Sequence, residues 1–159
     1  MSKRHPSDIL REDAVSYDQQ TGLLTIDYKK TNIPFLLPPK VWYPNIPETK
    51  GFGSMEPAFG MGNNNVLIAG NNEVDQGIMV DWLFSQTIGG FQNVAVYKSG
   101  QYYAVHRIVQ CGEDTQGRYF RFMGDNNNPF KIGFLDSLFY DPPLVRFNEI
   151  LWLVASTNN

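Results

Sequence analysis

Five prolines between residues 32 and 50 are the feature that most limits how this chain can fold. Proline fixes φ and lacks the backbone N–H, so it is excluded from a helix interior and from the middle of a sheet. We therefore expect an extended segment here that lies over the rest of the protein. The five are Pro34, Pro38, Pro39, Pro44 and Pro47.

The remainder of the 159-residue chain is typical of a β protein. Its apolar runs are short, and fourteen glycines and ten prolines imply frequent turns. The length fits one domain with a full core, and 42% hydrophobic residues supply that core. We predict a single, mainly β domain, with a tail that frays from Ser156. The expected strands are 23–28, 66–69, 78–84, 93–97, 102–110, 118–123 and 145–154.

Two of the expected strands should form a hairpin about a polar turn near Asp114. Antiparallel pairing about this turn places residue 106 roughly opposite residues 122 to 124. Asp125 would then be a direct or diagonal neighbour of His106, within about 5–8 Å. A carboxylate at that distance can accept the proton of one imidazole nitrogen and leave the other nitrogen as a base.

A serine, a histidine and an aspartate occur in that order, each in a distinctive string. Ser54 lies in Gly-Ser-Met-Glu-Pro, His106 in Ala-Val-His-Arg-Ile, and Asp125 in Met-Gly-Asp-Asn-Asn. A hydroxyl becomes a good nucleophile when a base takes its proton, and the base works best when a third group fixes its tautomer. The three residue types therefore suit acyl transfer.

The same strings resemble those of the signal peptidases of the archaeal and endoplasmic-reticulum type. That family carries a Ser-Met-Glu-Pro box, a His-Arg pair on a strand and a Gly-Asp-Asn-Asn turn, and the similarity runs from Gly51 to the C-terminus. The resemblance implies a curled antiparallel sheet of the signal-peptidase and SOS-repressor clan. Residues 1–50 would be an N-terminal arm packed on the domain, and residues 51–159 would be the peptidase domain.

The resemblance also assigns roles. Ser54 would be the nucleophile, His106 the general base and Asp125 the group that orients His106. The substrate would be an extended peptide or protein segment with small residues before the scissile bond. Cleavage in trans, or of the chain itself in cis as in the SOS repressors, both remain open.

Other residues compete for these roles. Lys98 is the alternative base, because SOS repressors have lysine at the position of His106, but its expected place in a turn would leave it solvated. Arg107 should face away from His106, and Met55 should enter the core. Glu56 is expected to shape the turn. The second acid of the family is missing from its usual place, and Asp136 and Asp141 are both candidates.

Composition argues against several classes of function. The net charge of −3 and the scattered Lys and Arg residues argue against nucleic-acid binding. No apolar run approaches the roughly 20 residues of a membrane-spanning helix, and the N-terminus does not read as a signal peptide. The spacing of Cys, His and Asp predicts no metal site, and no cofactor motif occurs. The single Cys111 fits a reducing compartment, so a cytoplasmic location is expected.

A second class of function stays open, namely a catalytically inactive binding or structural module that keeps the peptidase fold. The absence of an expected membrane span and the altered spacing after Asp125 motivate it. Aromatic side chains expected at the surface would then serve a protein partner or a homo-oligomer interface. They are Trp42, Tyr43, Tyr102 and Tyr103.

Overall fold

The computed structural model describes residues 15–42, 55, 64–124 and 144–158. This part of the chain is mainly β, as predicted. A small hairpin pairs β1 (Val15–Asp18) with β2 (Leu23–Ile26), and seven further strands form one antiparallel sheet in the order β3-β4-β9-β5-β6-β7-β8. The strands are β3 (Lys40–Trp42), β4 (Asn64–Ala69), β5 (Val94–Ser99), β6 (Tyr102–Asp114), β7 (Gly117–Met123), β8 (Leu144–Arg146) and β9 (Ile150–Asn158).

The two consecutive hairpins of the sheet follow the sequence prediction. β5 and β6 pair through Ser99 and Tyr102, and the turn between them contains Gly100 at φ 60°. β6 and β7 pair from Arg107 opposite Met123 to the turn after Asp114. Two-residue turns set the register of such hairpins, which explains why local sequence signals were sufficient here.

The strand predicted for residues 78–84 is wrong, because this stretch belongs to α1 (Glu73–Ile88). The side chain of Asn72 caps the helix by accepting a hydrogen bond from the Asp75 backbone N–H at 2.9 Å. Met79 and Leu83 lie four residues apart and are both fully buried, which is the spacing of a helix face. The nearly continuous apolar run hid this period from the sequence analysis.

The single strand predicted for residues 145–154 is also wrong. Residues Phe147–Glu149 form a 3-10 turn that separates β8 from β9. A Glu149 carboxylate oxygen accepts a hydrogen bond from the Arg146 backbone N–H at 2.9 Å, which stabilises the turn. β8 consequently pairs with β7, whereas β9 lies between β4 and β5. β9 continues through Asn158 opposite Asn64, so the expected fraying from Ser156 is not observed.

The described part of the proline-rich segment packs on this framework and contributes no strand to the middle of the sheet. Ile33 is buried in the core, and the short strand β3 is at one edge of the sheet. The fully buried Asp75 carboxylate accepts hydrogen bonds from the backbone N–H groups of Leu36 and Leu37, each at 3.0 Å. Residues 43–50 lie outside the described part of the chain.

The sheet separates two apolar clusters. The face covered by α1 carries the larger cluster, which includes Ile68, Ala95, Tyr97, Phe122 and Leu153. The opposite face carries the smaller cluster of Met55, Leu67, Val94, Val96 and Val154. Alternation of side chains along each strand explains this division, because neighbours such as Val94 and Ala95 point to opposite faces.

Candidate functional site

His106 lies on the face of the sheet that α1 covers. It occupies a half-buried position in β6 directly opposite Ala95, a member of the larger apolar cluster. As predicted, Ala104 and Ile108 share this face. An imidazole in such surroundings requires hydrogen-bond partners, because an unsatisfied buried polar group is costly.

One of these partners is Tyr97 on the neighbouring strand. Its hydroxyl oxygen lies 2.9 Å from Nδ1 of His106. Tyr97 is only 2% exposed, and its ring stacks on Phe122 with a centroid separation of 4.2 Å. The hydroxyl is therefore held in place by a packed aromatic ring, and it limits the orientations open to the imidazole.

At this point β6 extends beyond the end of its partner strand β7. β7 pairs with β6 only as far as Arg107, so Tyr102–His106 have β5 on one side and no described strand on the other. His106 is the first residue beyond the paired region.

The position across from His106 agrees with the hairpin arithmetic. Because Arg107 pairs with Met123, the next residue along, Gly124, is the one beside His106. Gly124 is buried and is the last described residue before Asp125. Asp125 lies outside the described residues, as do Asp136 and Asp141.

Ser54 likewise lies outside the described residues, but its neighbour Met55 does not. Met55 is 3% exposed and belongs to the smaller cluster, so the prediction that it enters the core is confirmed. This cluster packs against Val105, the residue before His106, from the face opposite to the imidazole. Each predicted partner of His106 therefore has one described neighbour in sequence. Met55 follows Ser54 and packs on the opposite face of β6, whereas Gly124 precedes Asp125 and lies beside His106.

Lys98, the alternative base, and Arg107, the neighbour of His106 in sequence, are both clearly placed. Lys98 is in strand β5 rather than in the turn, opposite Tyr103, and it is exposed. Water around its ammonium group opposes the desolvation that a lysine base needs. Arg107 is on the face opposite to His106, as predicted. It is buried and donates a hydrogen bond from Nη1 to the Gln92 carbonyl oxygen at 2.7 Å.

Tyr97 is the site residue that the sequence analysis missed. The signal was present in the β5–β6 hairpin. Once the turn pairs Ser99 with Tyr102, residue 97 falls opposite residue 104 and becomes a diagonal neighbour of residue 106. Diagonal neighbours are within reach of aromatic and other long side chains.

An open groove of about 1280 Å³ lies apart from His106. Its aromatic walls include Trp42, Tyr103 and Trp152, and Lys40 is 5.5 Å from the centre of the Trp152 ring. Trp42 is 49% exposed and Tyr103 is 74% exposed, in agreement with their predicted surface positions. Tyr102, also predicted at the surface, is exposed, whereas Tyr43 falls outside the described residues.

Cys111 lies in β6 and is half-buried, with Sγ 3.8 Å from the Phe84 carbonyl oxygen. Burial raises the pKa of this thiol and so lowers its reactivity. Among the described residues, no group of three or more His, Cys, Asp and Glu side chains could hold a metal ion. Within the same ranges, no helix is long and apolar enough to cross a membrane.

Comparison of the chain with protein-family models, with curated proteins and with solved structures gives no significant match.

Proposed function

We propose that this chain is a serine endopeptidase of the signal-peptidase type, with His106 as the general base and Ser54 as the nucleophile. The observation that carries the proposal is the setting of His106. Its imidazole is half-buried at the point where β7 ends, and Nδ1 lies 2.9 Å from the hydroxyl of buried Tyr97. A base needs this combination of fixed orientation and access to a reacting group.

The chemistry follows the general course of acyl transfer. His106 takes the proton of the Ser54 hydroxyl while Oγ forms a bond to the carbonyl carbon of the substrate peptide. The carbon–nitrogen bond then breaks, and the imidazolium returns the proton to the leaving amine. Water, deprotonated by the same imidazole, attacks the acyl-enzyme and releases the acid with Ser54 restored.

Supporting groups complete the proposed site. Asp125, adjacent to Gly124 beside His106, would stabilise the imidazolium by its negative charge. The backbone N–H of Ser54 and a nearby donor would bind the oxyanion, and each such donor is worth roughly 3–4 kcal/mol. A curled sheet of the signal-peptidase and SOS-repressor clan, with residues 1–50 as an arm, is part of the proposal. So is a substrate with small residues before the scissile bond.

A serine-reactive phosphonate probe tests the proposal. The full chain is incubated with the probe, and the intact mass is measured before and after. We expect a single adduct on the wild-type chain, no adduct on Ser54→Ala, and strongly slowed labelling of His106→Ala, because the hydroxyl then lacks its base.

Ser85→Ala is the matched control. Ser85 is in α1, and its hydroxyl donates to the Trp82 carbonyl oxygen at 3.1 Å, so its loss should leave labelling unchanged. An adduct that persists in Ser54→Ala would contradict the assignment of the nucleophile. An acylating β-lactam-like probe run in parallel guards against a site that rejects phosphonates.

The aromatic groove supports a second candidate, a binding module without catalysis. Trp42 and Tyr103 present large, partly solvated rings along the groove, and such residues are enriched at protein interfaces. If no probe labels the wild-type chain under any condition, the module becomes the better account. Labelling thus separates the two candidates. Labelling that depends on Ser54 supports the peptidase, and a wild-type chain that no probe labels supports the binding module.

A further inference from the structure

We propose that Tyr97 is the positioning residue of His106 and that its hydroxyl oxygen accepts a hydrogen bond from Nδ1–H. The inference rests on the proposed function, because it names the residue that holds the base in its reactive form. Tyr97 touches neither substrate nor nucleophile in this account. It acts through the imidazole.

The packing of Tyr97 explains why it can fix another side chain. Its ring stacks on Phe122 at 4.2 Å, and α1 covers this face of the sheet. The backbone of β5 is paired on both sides, by β6 and by β9. The position of the Tyr97 hydroxyl is consequently restricted, and so is the orientation of the His106 ring that is hydrogen-bonded to it.

The tautomer of His106 follows from the fact that its ring has two nitrogens, one of which faces Tyr97. Tyr97 lies at Nδ1, so the nitrogen that takes the serine proton is Nε2. A neutral imidazole has a lone pair on Nε2 only when its proton is on Nδ1. The proton therefore lies between Nδ1 and the Tyr97 oxygen, and a hydroxyl can accept this bond while directing its own proton elsewhere.

This arrangement divides two tasks that would otherwise both fall to Asp125. Orientation and choice of tautomer fall to Tyr97, whereas stabilisation of the imidazolium charge is left to the carboxylate. A neutral phenol stabilises a positive ring less than a carboxylate does. Removal of the Tyr97 hydroxyl should therefore disturb the tautomer more than Asp125→Asn does.

Nitrogen NMR of ¹⁵N-histidine-labelled full-length chain tests the inference directly. The chain has two histidines, so His5→Gln assigns the His106 signals. At a pH where the ring is neutral, we expect the wild-type proton on Nδ1. In Tyr97→Phe, which keeps the stacked ring, we expect the population to move towards the Nε2–H form. A wild-type Nε2–H tautomer would overturn the inference without any variant.

Tyr119→Phe is the matched control, because Tyr119 is a half-buried tyrosine in the same sheet that packs near Arg121 and Arg146. It should leave the His106 tautomer unchanged. An identical tautomer in wild type and Tyr97→Phe would overturn the inference, since the hydroxyl would then have no influence on the ring.

Kinetics separate this inference from the proposed function. In Tyr97→Phe we expect kcat to fall roughly tenfold with KM unchanged, the loss of one hydrogen bond to the base. If Ser54-dependent labelling persists while neither tautomer nor kcat responds, the role of Tyr97 is wrong and the peptidase stands. If the tautomer responds but wild-type chain is never labelled, the peptidase falls and the assigned hydrogen bond stands.

Discussion

The imidazole of His106 is held among apolar side chains because a neighbouring strand supplies a polar partner. Ala95 lies opposite it and the Tyr97 ring stacks on Phe122, so the Tyr97 hydroxyl is a polar partner that helps to make this position tolerable. The same hydroxyl gives the ring a defined orientation. Stability and the proposed chemistry thus both draw on this contact.

A second polar contact, between Arg146 and Asp114, joins β8 to the turn after β6. Two guanidinium nitrogens approach the two carboxylate oxygens at 2.9 and 2.8 Å. This pairing holds the pKa of Asp114 below its ordinary value of 3.8, chiefly through the hydrogen bonds from Arg146. Both groups are partly solvated, so screening by water and salt moderates the interaction.

The lowered pKa of Asp114 predicts how the pair contributes to stability as pH changes. Because the folded pKa lies below the unfolded one, the contribution is complete above about pH 5 and is lost as pH falls through the folded pKa. We expect Asp114→Asn to destabilise the protein at pH 7 and to have little effect near pH 2. Urea unfolding of both chains across this range measures the difference.

A double-mutant cycle isolates the pair. Asp114→Asn and Arg146→Gln should show a coupling free energy at pH 7 that disappears in acid. A coupling that is equal at both ends of the pH range would contradict the assignment of the pKa shift to Arg146.

At the scale of elements, α1 is seated on the sheet through Gln76. Its side-chain oxygen accepts a hydrogen bond from the Gly70 N–H at 2.8 Å, and its side-chain nitrogen donates to the Ile150 carbonyl oxygen at 3.0 Å. This contact links the end of β4, the first turns of α1 and the start of β9. The close approach depends on Gly70, since a Cβ there would overlap the Gln76 backbone nitrogen.

Two glycine-to-alanine substitutions test this seating. Gly70→Ala should lower the free energy of unfolding by about 1–3 kcal/mol, because the overlap forces the backbone to shift. Gly77→Ala, in α1 with open space around it, should raise that free energy by roughly 0.5–1 kcal/mol through better helix propensity. Thermal or urea unfolding distinguishes the two signs. Equal changes in the free energy of unfolding would show that a Cβ at Gly70 does not disturb the packing of α1 on the sheet.

The sequence predicted the hairpins better than it predicted the helix. Turn residues such as Gly100 act over a few positions, so the β5–β6 and β6–β7 pairings could be inferred, and with them the place of residue 124 beside His106. The helix was missed because Gly77 lowers its propensity and because the apolar run 78–84 suits a buried strand equally well. The cap at Asn72 was the signal that could have decided it.

At the scale of the whole molecule, the order of strands was beyond local sequence signals. β9 pairs with β4 and β5, and β8 pairs with β7, although a three-residue turn is all that separates β8 from β9. Long-range packing of the two apolar clusters decides this arrangement, and no short motif encodes it. The two-sided sheet bears on the proposed function because it carries His106 on one face and Met55, next to Ser54, on the other.

The central claim is that Ser54 and His106 act as one catalytic unit, although Met55 and His106 lie on opposite faces of the sheet. The most direct measurement is hydrolysis of a library of extended peptides with small residues before the scissile bond, using Ser54→Ala, His106→Ala, the double mutant and Asp125→Asn. We expect Ser54→Ala to remove nearly all activity and His106→Ala to lower kcat/KM by roughly 10²- to 10⁴-fold. The double mutant should be hardly worse than Ser54→Ala, because the two residues act as one unit. Asp125→Asn should be milder than both.

Activity retained in His106→Ala would transfer the base role to Lys98, on the Met55 face of the sheet, and activity retained in Ser54→Ala would remove the peptidase proposal.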